Sequence, residues 1–91
     1  MDTARALDQL AYYAHVLATE EVRAEHTRSN PKVTSFGIGN EVVVVRMWKS
    51  RDSNPDCDHC EVNGQQVGNR VGARKALVAV FQEYLVPHDR A

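Results

Sequence analysis

In the stretch WKSRDSNPDCDHCEVNG, Trp48 to Gly64, Cys57 and Cys60 have the C-x2-C spacing with which a zinc knuckle presents two thiolates. A structural zinc takes about four N or S ligands in a tetrahedral array, and the chain has no second cysteine pair. On an extended segment His59 points away from the side that carries Cys60. The other histidines, His15, His26 and His88, would have to reach in from the first helix and the C-terminal tail. A metal held by Cys57 and Cys60 would therefore need ligands from a second chain. A redox pair needs a stabilised thiolate, usually supplied by a helix N-terminus, whereas Asp56, Asp58 and Glu61 put negative charge around these thiols. Two reduced cysteines in or beside a strand are the expectation. The same run carries oxygen ligands at Asp52, Asn54, Asp56, Asp58 and Glu61. It lacks the turn glycine and flanking helices of an EF-hand loop, which leaves a solvated acidic loop.

Just upstream, Arg46, Trp48, Lys49 and Arg51 set an aromatic ring among three cations. Such a cluster serves two chemistries. Tryptophan and arginine anchor protein interfaces, because a rigid apolar ring and a planar fork of donors bury well. An aromatic ring among cations can also stack a base and neutralise phosphate. The first chemistry makes Tyr12, Arg46, Trp48, Lys49 and Arg51 the candidate protein-binding residues. The second makes Arg46, Trp48, Lys49, Arg51, Arg70, Arg74 and Lys75 a candidate nucleic-acid set. No serine lies in a G-x-S-x-G elbow, and FGIGNE does not match G-x-G-x-x-G. No spacing assembles a catalytic group, so a non-enzymatic protein without a cofactor is expected.

The elements that must position these residues follow from periodicity. Positions 3–28 have no Gly or Pro, and Leu7, Leu10, Ala11, Ala14, Leu17 and Ala18 recur every three or four residues. This pattern predicts one long helix buried on that face, with Tyr12, His15 and Val16 pointing away. Asn30-Pro31 ends it, because a residue before proline avoids helical backbone. Strands are expected at 33–38 and 41–49 around a Gly39-Asn40 turn. Val43, Val45 and Met47 form the core face of the second strand. Val42, Val44, Arg46 and Trp48 form a face for solvent or a partner. Asn63-Gly64 predicts a second hairpin with strands at 59–62 and 65–70. A last helix over 73–86 carries a stripe of Ala73, Ala76, Leu77, Val80, Phe81 and Tyr84, stopped by Pro87 before a frayed tail.

Helix, three or four antiparallel strands, helix is an α+β arrangement in one domain, with both helices on one sheet face. Ninety-one residues allow one core and little volume for a deep pocket besides. Eleven basic and twelve acidic residues leave a net charge of −1, which removes general attraction to polyanions. The opening MDTARALDQL has no apolar h-region, and no run approaches a membrane span, so a cytoplasmic protein is expected.

The segment CEVNGQQVGNRVGARKALVAVF resembles the second half of a double-stranded-RNA-binding domain. The resemblance lies in a strand, an Asn-Gly turn, a second strand and a helix with a basic start. It implies an α-β-β-β-α fold and phosphate contacts from Arg70, Arg74 and Lys75. The dense lysine cluster of that family is reduced here to Arg74-Lys75, and there is one strand too many. In type, the short, motif-poor chain is also similar to many virus-encoded inhibitors, phage proteins among them. The leading expectation is a small module that binds a host or cognate protein, with a second copy of the chain as a further candidate partner. Nucleic-acid binding is the alternative, and a structural zinc at Cys57 and Cys60 the third.

Overall fold

The computed structural model describes residues 3–49 and 58–89. The element order is α1 (Thr3–Thr19), β1 (Lys32–Ile38), β2 (Glu41–Lys49), β3 (Asp58–Val62), β4 (Gln65–Gly68) and α2 (Arg70–Asp89). The strands form one antiparallel sheet in the order β1-β2-β3-β4, as consecutive hairpins produce. Phe36, Ile38, Val43, Val45, Met47, Cys60 and Val62 lie on one sheet face, in one cluster with Ala6 and Leu17 of α1 and Ala73, Leu77 and Phe81 of α2. Both helices cover that face, and among the described residues the other carries no helix.

Both tight turns have the backbone their residues favour. Gly39 has φ +60° while Asn40 stays negative, so glycine holds the first central position, where a type II′ turn needs it. Asn63 and Gly64 have φ +50° and +83°, the paired left-handed conformation of a type I′ turn. Asn63 then bonds twice to the neighbouring strand. Its N–H donates to the Val44 carbonyl at 2.9 Å, and its Oδ1 accepts from the Val44 N–H at 2.9 Å. The second hairpin is thereby locked onto β2. Gly72 serves packing instead: a Cβ there would collide with the Val67 carbonyl, so only glycine lets the first turn of α2 lie this close to β4.

The first helix ends at Thr19, nine residues before the expected end at 28. Two physical causes act here. Glu20 and Glu21 would place negative charge at a C-terminal dipole that is already negative. On a continued helix Val22 would also sit about 140° around from Leu17, away from the core. Leaving the helix lets Val22 join the core at 7% exposure. The freed carbonyls are met by Arg70, whose Nη1 donates to Leu17 O at 3.2 Å and to Ala18 O at 3.0 Å. Residues 20–31 then run as turns. His26 Nδ1 accepts from the Arg23 N–H at 2.8 Å, and Thr27 and Asn30 exchange two backbone bonds around the Arg28-Ser29 turn.

The buried face of α1 also differs from the expected one. Ala6 and Leu17 are buried, and Leu10, Tyr13 and Val16 pack against the core, while Leu7 is 50% exposed and Ala11 and Ala18 face solvent. Tyr13 sets this rotation. Its ring packs 4.8 Å from Phe36 and 6.0 Å from Phe81, and its hydroxyl donates to Gly37 O at 2.8 Å. An aromatic that reaches both the sheet and α2 outweighs the weaker pull of alanines. Helix α2 starts at Arg70 rather than 73, because Asn69 Oδ1 accepts from the N–H groups of Val71 and Gly72 as an N-cap. It continues through Pro87 to Asp89, past the expected stop. Proline's fixed φ is itself helical.

Truncating Arg70 to alanine should cost about 1–3 kcal/mol, as expected when the acceptors of a charged donor lose it. A thermal melt followed by circular dichroism checks this, and an unchanged midpoint would show that the α1 terminus does not depend on that cap.

Candidate interaction surface

The helix-free face of the sheet is built from alternate residues of each strand. Across the strands, Val33, Arg46, Glu61 and Gln66 stand in one row, Ser35 faces Val44, and Gly37 faces Val42. Val33 is 52% exposed and Val42 60% exposed, although β-branched residues in a strand are usually packed. Arg46 stands directly across from Glu61, so the face carries both signs of charge on an apolar ground.

Trp48 belongs to this face by alternation, but it is not an exposed anchor. It is 8% exposed, and its ring stacks on His59, its direct cross-strand partner, at 5.8 Å between centroids and 26° between planes. This end of β2 is also where the irregular segment closes on the sheet, with the Lys49 N–H donating to His26 O at 3.2 Å. The expectation of a projecting tryptophan is corrected on these grounds. Its neighbours are also spread out. Arg46 is exposed on the open face, Lys49 follows Met47 on the helix-side parity, and Tyr12, 63% exposed, sits on α1 across the sheet. Arg51 lies outside the described residues. Tyr12, Arg46 and Lys49 therefore share no surface.

The candidate nucleic-acid set is divided too. Arg70 is occupied at the end of α1, while Arg74 and Lys75 are exposed on α2, on the opposite side of the sheet from Arg46. Arg74 and Lys75 border a depression of about 350 Å³ along α2, whose apolar members are Val71, Val78 and Ala79.

Cys60 is 1% exposed and points into the core, between Met47 and Val62, while His59 is exposed on the other face. The alternation expected for these two residues is present, and it keeps thiolate and imidazole from one ligand set. Cys57, Asp52, Asn54 and Asp56 lie outside the described residues. Among the described residues no group of three or more His, Cys, Asp and Glu stands close enough to hold a metal ion. No described helix is long and apolar enough to cross a membrane.

No protein-family model, curated protein or solved structure matches the chain. The reading of the site therefore stands on its geometry. What alternation could show was which residues share the open face. The exposure of Val33 and the burial of Trp48 depend on what covers each end of the sheet, and no local pattern carries that.

Proposed function

We propose that the protein is a non-enzymatic module that binds another protein through the helix-free face of its sheet, as an inhibitor or regulator would. The observation that carries this reading is two half-exposed valines on the open face, Val33 directly across from Arg46 and Val42 four residues before it on β2, with no described helix over them. Exposed apolar side chains next to an arginine and ringed by polar residues have the make-up of an interface core and rim. Phosphate binding would instead favour a surface of one sign, whereas here Glu61 stands opposite Arg46, and Arg74 and Lys75 sit on α2, across the sheet.

The test is affinity capture from the cells that make the protein, with wild type and two variants, Val42→Asp and Arg46→Glu. A protein held by the wild type should be lost, by about tenfold or more in affinity, from each variant, with thermal midpoints nearly unchanged. Retention of that partner by both variants would place the contact elsewhere. Binding to RNA or DNA that weakens steeply with salt would replace the reading with the nucleic-acid one.

A further inference from the structure

We infer that β1 is a self-pairing edge, through which two copies of the chain join their sheets into one continuous antiparallel sheet. The dimer covers Val33 and Val42, the same two valines offered above to another protein, and the mass of the purified chain tests it with no other protein present. It starts from the direction of the backbone groups on β1. Both the N–H and the C=O of Val44 bond to Asn63 on the β3 side. Its partner in β1, Ser35, therefore forms a non-hydrogen-bonded pair with it and turns its own N–H and C=O to the free edge. By alternation Val33 and Gly37 do the same. Among the described residues, the Tyr13 hydroxyl on the Gly37 carbonyl is the contact made along this edge, and that carbonyl keeps a second lone pair.

The two edges of the sheet differ in how they are guarded. β4 has four residues, a register shift against β3 between Cys60 and Glu61, a left-handed Gly68 at φ +87°, and α2 packed against the Val67 carbonyl. Short length, bulges and covering helices are the devices that keep an edge from pairing. β1 has seven residues in unbroken register, no proline, and one charge, Lys32 at its start, which is paired with Glu20 at 3.3 Å.

A two-fold axis at Ser35, the middle residue, overlaps the whole strand. Ser35 then faces Ser35 of the second copy, and Val33 faces Gly37 of the second copy, each pair exchanging two N–H···O bonds. The side chains fit this register. A side chain at Gly37 would meet nothing within 4 Å, so there is open space beside it, and Val42 is its neighbour on β2. Val33 of one copy enters that space and reaches Val42 of the other. The two exposed valines of the open face, at 52% and 60%, thereby cover each other. Lys32 falls opposite Ile38, so no like charges meet.

Sedimentation equilibrium of the purified chain, over a concentration series, tests the pairing. Wild type should show twice the 10.2 kDa chain mass, with the amides of Val33, Ser35 and Gly37 protected from hydrogen exchange in the dimer and losing that protection on dilution. Ser35→Pro removes the central edge donor at a position an edge strand tolerates. Gly37→Lys fills the space meant for Val33 and is accommodated in a single copy. Each should shift the mass to that of one chain with the fold retained, and Gly37→Lys keeps the test decisive if Ser35→Pro does not fold. Val71→Lys, on the outer face of α2, should leave the dimer intact. A wild type that stays at one chain mass at the highest concentration reached would overturn the inference. So would a dimer that survives Gly37→Lys, or one that Val71→Lys dissociates.

Discussion

Phe81→Ala should lower the unfolding free energy by about 3–5 kcal/mol, the range for emptying a fully buried aromatic site. Phe81 is 0% exposed and lies where α1, α2 and the sheet meet, with the Tyr13 ring 6.0 Å away. Its removal leaves a void that no neighbour can close without moving a helix, so the cavity adds to the lost transfer energy. Small domains hold roughly 5–15 kcal/mol in all, so this one change takes a large share of the stability. Urea unfolding followed by circular dichroism measures it. Val71→Ala, on the exposed side of the same helix at 61% exposure, should stay within about 0.5 kcal/mol. A small effect at Phe81 would mean that the helices do not pack on the sheet as described.

Trp48→Ala should cost about 3 kcal/mol or more, again by emptying a buried site, now on the helix-free side. The sequence alone leads to the opposite expectation, a projecting indole whose loss spares the midpoint and weakens only binding. At 8% exposure, stacked on His59, the ring contributes to folding. Removing it also takes away the ring on which His59 stacks and loosens the end of β2 where the Lys49 N–H meets His26 O. His59→Ala should reproduce a smaller part of the loss, about 0.5–1.5 kcal/mol, the size of an aromatic pair contact. The chevron of folding and unfolding rates would show on which limb the loss falls. A midpoint within a degree or two of wild type would return Trp48 to the surface and reopen its use as a binding anchor.

Much of the fold is legible from local chemistry. Gly39-Asn40 and Asn63-Gly64 announce two-residue turns, because their residues take φ values that others resist, and both hairpins form around them. The period-2 pattern of β2 places Val43, Val45 and Met47 inward, and all three are buried to 1% or less. The stripe on α2 places Ala73, Leu77 and Phe81 inward by the 3.6-residue period. The antiparallel order, the strand faces and the opposition of His59 to Cys60 need only chain geometry.

Other features were decided by distant contacts. Periodicity alone extends α1 to 28, yet the helix ends at Thr19, because Arg70, 51 residues downstream of Thr19, meets its last carbonyls and Val22 gains more in the core than in another helical turn. Leu7, Ala11 and Ala18 read as a buried stripe, yet Tyr13 turns the helix so that its own ring reaches Phe36, Phe81 and Gly37. The candidate cations were grouped by closeness in sequence, and the fold sent Arg46, Lys49, Arg70 and Arg74 to different sides. Sequence by itself determined which backbone conformations and faces were available, since those depend on a residue and its near neighbours. Only the tertiary structure decided which apolar groups are covered and which cations share a surface, because burial is a property of the elements that pack together and not of the chain that runs through them.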